Sequence, residues 1–460
     1  MIIPSYPKVR TSRESLLHRA RAAADQTVLS PIPPWSFRED VVASPRAVKE
    51  SGVQLYHRSF PVTFANAAGC EVLDQSGRRW IDFFCGAGAL NYGHNHPRLV
   101  EAVVMHLREG RIVHALDVDT PVKQAFIDRL GQFLGLSGLD YRVQFCGPTG
   151  ADAVEAALKL ARKVTGRPGV IAFSGSFHGM TRGAASVSSS RQVRELAAGG
   201  CADTTFVPYA VGPNGPCDVL DQVAARLADD MSGLSPPGAI IVEALQFEGG
   251  LYAAPAAWLR RLREIASQHG IVLILDEIQS GCGRAGSFFA FERAGIVPDI
   301  VTLSKSLSGL GLPLSVCLIA PALDAWAPGD HTGTFRANQL ALASATTALT
   351  LWEEPELAGS LAEGGAQLAA FAEELATGGD VTARIRGMAL GLEGSEPAWA
   401  PAVQREAFKR GLLVETCGRD GRVLKACPPL TATSDELAEG LELLASAIAH
   451  ASSQELAPAG

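Results

Sequence analysis

The stretch Ile300–Ser315, IVTLSKSLSGLGLPLS, decides how the chain is read. An apolar run, Ile300, Val301 and Leu303, ends in Ser304-Lys305-Ser306, and Gly309, Gly311 and Pro313 then turn the chain. A short apolar run bounded by turn residues is the pattern of a buried strand. Lys305 then sits just past a strand end, its stem held and its amine aimed into a crevice. Burial disfavours the ammonium form, and a neutral lysine amine is a nucleophile towards carbonyl groups. By itself the stretch also describes an ordinary surface lysine after a strand, so the surrounding chain has to decide.

Outward from this stretch, strand and helix patterns alternate. Strands are expected at Arg142–Cys146, Val170–Phe173, Thr205–Pro208, Ala239–Glu243, Val272–Leu275, Ile300–Leu303 and Ser315–Ala320. Helices are expected between most of them, including Ala151–Val164 and Ala256–Gly270. Continuous Val/Ile/Leu strands separated by helices imply an α/β fold with a mostly parallel sheet covered on both faces. Ligands in such sheets lie at the carboxyl ends of the strands. Past Phe335 a long helical pattern, NQLALASATTALTLW, opens a second, smaller α+β region. The expected organisation is an extension over 1–45, the first part of the small domain over 46–95, a large domain over 96–335 and the rest of the small domain over 336–460. Within the extension, Arg13–Ala24 could form an amphipathic helix, and the proline-broken Ser30–Phe37 must be extended. Val62–Phe84 reads as strand, turn at Asp74-Gln75-Ser76-Gly77, strand.

Composition narrows the function classes. The 460 residues are 47% hydrophobic and 19% charged, enough for a large core and for two to four domains, or one large domain with a satellite. The formal net charge is −8 and no Lys/Arg run exists, so neither nucleic acid nor anionic lipid is expected as a partner. The nine cysteines are scattered with no CxxC pair, and read as small buried hydrophobes. His94 and His96 lie two apart in a glycine-rich turn with no third ligand nearby, so no metal is expected. The first ten residues, MIIPSYPKVR, lack the apolar core of a signal peptide, and no apolar run nears the ~20 residues of a membrane span. A cytoplasmic setting is expected.

Four strand ends carry chemistry. After Cys146, Gly147-Pro148-Thr149-Gly150 turns into a helix whose free N–H groups and dipole suit a phosphate, although any strand-to-helix turn looks similar. Phe177 and His178, in SGSFHGMT, sit just past a strand, where an aromatic can stack on a planar ring or simply pack in the core. Glu243 closes a strand and Glu248 lies in the loop beyond, in IVEALQFEGG. Asp276 follows Val272-Leu273-Ile274-Leu275 directly, and a buried carboxylate there needs a cationic partner. A protonated pyridine nitrogen fits, with Arg284 the competing structural partner. Gly281–Gly286 matches GxGxxG literally, but Asp276–Ser280 separate it from its strand and no acidic strand end follows at the right distance, which argues against a dinucleotide. A phosphate turn, a ring stacker, a buried Asp and a strand-end Lys on successive strand ends are the parts that a pyridoxal phosphate site requires.

At this point the chain resembles a known family. GHNHP, GPTGADAVEAALKLAR, SFHGM, DEIQSGCGRAG, LSKSLSGLGLPLS and HTGTFRANQLA together resemble the class III (omega) aminotransferases, of pyridoxal-phosphate fold type I. FFCGAGALNYGHNHP, ALKLARKVTGR, CGRAGSFFAFERAGIVPDIV and VETCGRDGRVLKACPPLT narrow the resemblance to the diaminobutyrate–2-oxoglutarate aminotransferases, over roughly residues 50–450. The resemblance implies that Lys305 is the Schiff-base lysine and that Asp276 pairs with the pyridinium nitrogen. It implies Gln279 at the ring hydroxyl, Phe177 on the ring face with His178 beside it, and the turn Thr149, Gly150 and Ala151 at the phosphate. Thr334 would reach the phosphate from a partner subunit, which implies a homodimer or higher homo-oligomer with a shared site. Glu243 would support the site.

On the substrate side, Glu248 and Lys425 match a family pair that admits a dicarboxylate or an amine lacking that carboxylate, with lysine where arginine is common. Arg336 is an alternative carboxylate clamp. Gly150-Ala151-Asp152 stands where the family usually has GTN, removing a hydroxyl near the phosphate, and Phe247 replaces a glycine, adding bulk near the substrate. The implied reaction takes an amino group from glutamate and gives it to a small aldehyde such as aspartate semialdehyde. Alternatives are an omega-aminotransferase of a specialised pathway, an aminomutase or racemase, and a non-catalytic member of the fold.

Overall fold

Val170–Phe173, Ala239–Val242, Val272–Asp276, Ile300–Leu303 and Val316–Ile319 are buried at every position. Strands without a solvent face need no polar alternation, which is why these segments read as unbroken apolar runs. They form the middle of a seven-stranded sheet in a computed structural model that describes residues 50–197, 203–211, 218–377 and 381–455. The expected extension over 1–45, with Arg13–Ala24 and Ser30–Phe37, lies outside the described residues, as do Cys201 and Cys217. The described residues up to Pro61 group with Val104–Arg111 as one unit, and Val62–Val103 with Ile112–Gly460 form another, which carries every sheet.

Across the large sheet the order is Arg142–Phe145, Val316–Ile319, Ile300–Leu303, Val272–Asp276, Ala239–Val242, Val170–Phe173, Thr204–Val207. All neighbours pair in parallel except Val316–Ile319, which is antiparallel to both of its neighbours. Each strand lies within one residue of its expected ends. Successive side chains alternate between two apolar clusters, one per face. Phe173, Val242, Leu275 and Leu303 belong to one, and Ala172, Ile241, Ile274 and Ile300 to the other. The second face is lined by small helical residues, Ala153, Ala156, Ala157 and Ala161, so the helix Gly150–Thr165 lies close on the sheet. That helix ends at Gly166, whose φ of +69° suits a left-handed C-cap. On the other side, Ala256–Gln268 buries Trp258, Leu259, Leu262, Ile265 and Ala266 at the three-and-four spacing of an amphipathic helix. The long helix expected past Phe335 is present as Gln339–Leu351, with the Asn338 side chain accepting from the Ala341 N–H to cap it.

Val62–Phe84 differs from its sequence reading. It makes three strands, Phe64–Ala68, Glu71–Asp74 and Arg79–Asp82, because Gly69, at a φ of +54°, admits a tight turn before Cys70. The expected turn at Asp74–Gly77 is present, with Asp74 Oδ1 accepting from the N–H groups of Ser76 and Arg78. Leu412–Leu413 pairs in parallel with Arg79–Asp82, so residues before 96 and after 335 share a sheet. A further antiparallel sheet runs Val381–Arg386, Ala389–Gly394, Val423–Ala426, Glu415–Cys417.

The literal GxGxxG segment has a structural task. Gly281–Gly286 forms turns and opens no helix. Arg284 is wholly buried, with Nε and Nη2 donating to Asn91 Oδ1 at 3.1 and 2.8 Å and Nη1 donating to the Met388 and Pro428 carbonyls at 2.9 and 2.5 Å. It therefore does not pair with Asp276. The turn also touches the hairpin at Gly387 so closely that a Cβ there would lie 2.2 Å from the Gly286 nitrogen. One guanidinium thus ties the Cys85–Asn91 loop, the large sheet and the C-terminal strands together. Arg284→Met leaves these acceptors buried without donors. Hydrogen bonds to charged groups are worth ~1.5–3 kcal/mol each, so a loss of at least about 3 kcal/mol is expected, read as a lower denaturation midpoint at an unchanged m-value.

Candidate active site

Parallel strands end on one edge of a sheet, and the loops leaving Phe145, Phe173, Val242, Asp276 and Leu303 meet there. They enclose a cleft of about 260 Å³ whose wall includes Lys305, Asp276, Glu243, Phe177, His178 and Gln279. Gly150 and Ala151 close one end of it.

Lys305 follows its strand by one residue, Ser304, and opens a single 3₁₀ turn, Lys305–Ser308. Its φ is +45°, a left-handed value that costs a non-glycine residue about 1–2 kcal/mol. Hydrogen bonds hold it there: the Ser306 hydroxyl donates to the Gly88 carbonyl at 2.7 Å and accepts from the Asn91 N–H at 3.0 Å. Cys85, Gly86, Ala87 and Gly88 all have positive φ, so the loop that receives Ser306 is itself a left-handed turn. Burial is the main force lowering the Lys305 amine from the ordinary lysine range. Lys425 adds to it, while Glu248, Glu415 and Asp276 oppose it.

Asp276 is 4% exposed. Its Oδ2 meets His178 Nδ1 at 2.6 Å, and its Oδ1 accepts from the Thr302 hydroxyl and the Ile278 N–H, each at 3.1 Å. Among the described residues no lysine or arginine pairs with it. A buried carboxylate that accepts these hydrogen bonds, meets no lysine or arginine among the described residues and lines a cleft fits a protonated pyridine nitrogen. His178 is also buried, and its Nε2 has no partner among the described residues. Glu243 accepts from the Phe177 N–H at 3.1 Å and so fixes the backbone behind that ring. Burial first, and the Asp276 charge second, push the Glu243 carboxyl well above the usual carboxylate range. Phe177 itself is half-exposed to the cleft.

Gly150 and Ala151 begin a sixteen-residue helix, so their N–H groups belong to its unpaired first turn. The space is tight. A Cβ on Gly150 would lie 2.9 Å from Ile278 Cγ2, and one on Gly179 would lie 2.7 Å from Ala151 Cβ. Thr149 is engaged elsewhere: its N–H and hydroxyl both donate to Asp152 Oδ2, at 2.9 and 2.7 Å, and it does not line the cleft. Asp152 closes this capping box.

A larger cleft of about 850 Å³ adjoins the first at Phe177 and is lined by Glu248, Gln246, Tyr252, Ser189, Arg191 and Arg419 among others. Behind it Lys425, wholly buried, places Nζ 2.6 Å from Glu248 Oε1 and 2.9 Å from Glu415 Oε1. Gln279 Nε2 donates to the same Glu248 oxygen at 3.2 Å and to the Ala87 carbonyl at 3.1 Å. The two carboxylates raise the Lys425 amine well above the ordinary lysine range against its own burial. Glu248 is lowered against its burial by Lys425 and then Lys305, whereas burial keeps Glu415 raised.

Besides Thr149 and Lys425, three further expected residues line neither cleft. Phe247 is fully buried and does not line the substrate side. Its ring centroid lies 5.9 Å from Lys425 Nζ, because the following loop turns Glu248 rather than Phe247 to the opening. Arg336 is paired with Asp117 at 2.5 Å and lines neither cleft. Thr334 is exposed in the loop before Gln339 and likewise lines neither. Sequence reasoning missed Glu415, Thr302 and Ser306. Glu415 was within reach, since the GRDG turn between ETC and VLKA sets a hairpin that places residue 415 opposite 425. His94, as a hydrogen-bonding turn residue, meets Asp82 at 2.7 Å. Among the described residues no group of three or more His, Cys, Asp or Glu is arranged to hold a metal ion, and no helix is long and apolar enough to cross a membrane.

Comparison with known proteins agrees with this geometry. Residues 54–448 match the family model described as Aminotransferase class-III. The chain is 46% identical over 408 residues to the uncharacterized aminotransferase y4qG of Sinorhizobium fredii, covering 87% of this chain and 90% of that one. It is 46% identical over 405 residues to a diaminobutyrate–2-oxoglutarate transaminase of Nocardia farcinica, covering 87% and 92%. Against a solved amine transaminase from an uncultivated Pseudomonas species, in its PLP-bound form, the TM-score is 0.76 at 25% identity, over 91% of this chain and 99% of that one. Against the ornithine aminotransferase of Toxoplasma gondii it is 0.75 at 25% identity, over 97% and 96%. The chain belongs to the class-III aminotransferases and is a pyridoxal-phosphate-dependent enzyme of fold type I.

Proposed function

We propose that the enzyme takes the amino group of L-glutamate, releasing 2-oxoglutarate, and gives it to L-aspartate 4-semialdehyde to form L-2,4-diaminobutyrate. The carrying observation is the Glu248–Lys425 pair, 2.6 Å apart beside the Lys305 cleft. Glutamate brings a second carboxylate that the aldehyde lacks, and one pocket must accept both. A cation that a neighbouring glutamate can cover or release meets that demand. Several relatives named diaminobutyrate–2-oxoglutarate transaminases, at 42–46% identity, support this choice. One observation favours a second reading, a longer amine or aldehyde: the adjoining cleft of about 850 Å³, with Arg191 and Arg419 in its wall, exceeds what a four-carbon substrate fills.

When bound, pyridoxal phosphate withdraws electrons from the carbon bearing the amino group and makes its proton labile. The chain's own residues do the rest. Lys305 Nζ, favoured as a neutral amine by burial, holds the cofactor and moves that proton. Asp276, kept in place by His178 and Thr302, would keep the ring nitrogen protonated, and Gln279 would stand at the ring hydroxyl. Phe177 covers one ring face, its backbone fixed by Glu243. Gly150 and Ala151 hold the phosphate at the helix N-terminus, with Thr149 contributing through the capping box. Phe247 influences the substrate only through Lys425.

We further propose a homodimer in which Thr334 of a second copy completes the phosphate site. Ile112, Val113, Leu116, Val118 and Phe335 are exposed apolar residues, and His114 stacks edge-on against Phe335 at 5.6 Å, so they form one patch near that loop. Arg336, held by Asp117 in the same patch, would then act as a carboxylate clamp only on rearrangement. The free, buried cysteines support a reducing, cytoplasmic setting.

Borohydride reduction of the holoenzyme followed by peptide mapping is expected to place the cofactor on Lys305, and Lys305→Ala to lower kcat by 10²–10⁴-fold or more; cofactor fixed on another lysine overturns the assignment. Glutamate and 2,4-diaminobutyrate are each expected to bleach the absorbance of the pyridoxal form, with 2-oxoglutarate restoring it. A screen in which neither bleaches it removes this substrate pair. A lowered Lys305 amine stays neutral further down the pH scale, so cofactor uptake by the apoenzyme should begin to fall at a pH below the ordinary lysine value of about 10.4. Glu248 is the largest charge holding that amine up. Glu248→Gln should therefore move the break lower still, and an upward move contradicts the electrostatics described.

A further inference from the structure

Lys425 is shared by two carboxylates, although one counter-ion would suffice to bury it. The two are not equivalent. Glu415 lies directly opposite Lys425 in the antiparallel pairing of Glu415–Cys417 with Val423–Ala426, so backbone hydrogen bonds fix its position. Its side chain is 7% exposed. Glu248 comes instead from the loop after Leu245–Gln246, its side chain is 32% exposed, and it lines the larger cleft. With Glu415 ionised against its burial, one ammonium between two carboxylates leaves one negative charge over, and of the two only Glu248, which also faces Lys305, lines the cleft where a ligand would meet it. Gln279 orients Glu248 without cancelling its charge, and the Phe247 ring lies near Lys425 without adding any.

We infer that Glu415 is a specificity-determining positioning residue: by neutralising Lys425 from behind, it frees Glu248 to accept a substrate ammonium. Among donors that react through a terminal amine, the site then prefers those whose remote end carries an ammonium beside its carboxylate, as an α-amino acid end does, over those ending in a carboxylate alone. This rests on the proposed diaminobutyrate reading and assigns the selection to a named residue outside both clefts.

2,4-Diaminobutyrate and 4-aminobutyrate share the reacting end and chain length and differ in the α-ammonium. Their half-reactions with the holoenzyme, followed by cofactor absorbance, give a ratio of kcat/KM. The wild type is expected to favour diaminobutyrate. Glu415→Gln, similar in shape and uncharged, should cut that preference tenfold or more through the KM for diaminobutyrate, and Glu415→Asp should restore part of it. Binding of glutarate, an unreactive dicarboxylate, measured by calorimetry on the holoenzyme, should tighten several-fold in Glu415→Gln. An unchanged ratio with unchanged glutarate binding, which a protonated or merely structural Glu415 would give, overturns the inference while leaving the diaminobutyrate reading intact. So does an equal loss for both donors with a lower Tm. A wild type that reacts with glutamate but with neither diamino nor monoamino donor overturns both.

Discussion

A carboxylate buried at the end of a central strand, with no lysine or arginine to pair it among the described residues, is the constraint around which this molecule is built. Burying the Asp276 side chain at 4% exposure is costly unless its surroundings supply hydrogen-bond donors and its cleft a positive charge. The sheet supplies the first, since parallel register sets Thr302 beside Asp276 and the loop after Phe173 brings His178 against its other oxygen. Glu243, one strand over, feels the Asp276 charge and is driven towards its neutral form. Lys305, one strand over on the other side, is driven the same way by burial. Neighbouring ionisable groups are thus each driven towards the neutral form by their placement on one sheet edge, as acid–base chemistry requires.

The large sheet was legible because its central strands are buried on both faces, and that condition writes itself into the chain as apolar runs. Lys305, Asp276, Phe177 and Gly150 were legible because each follows such a run by a fixed few residues. What was harder to read depends on contacts across long sequence distances. Arg284 looked like a partner for Asp276 and instead bridges Asn91, Met388 and Pro428, three carbonyl acceptors that no local pattern announces. Gly281–Gly286 looked like a nucleotide motif and instead gives the backbone clearance to meet Gly387. Phe247 looked like bulk in the substrate pocket, because a one-residue difference in which way a loop turns decides whether a side chain faces a cleft or the core.

Glu415 occupies an intermediate position. Its pairing with Lys425 follows from hairpin geometry alone, yet its meaning depends on Glu248, which reaches the same ammonium from a loop nearly 170 residues earlier. The charge balance of the pocket is therefore a property of two separate sheets meeting at one lysine. A reading of either segment by itself sees an ordinary ion pair.

The left-handed backbone at Lys305 ties reactivity to a distant part of the chain. The conformation is unfavourable for a lysine and persists because Ser306 is clasped by Gly88 and Asn91. The direction of the reactive amine is therefore set by the Cys85–Asn91 loop, which contributes no titrating group to the cleft. Sequence drift in that loop is felt first as a re-aimed nucleophile, with the sheet and its core unaltered.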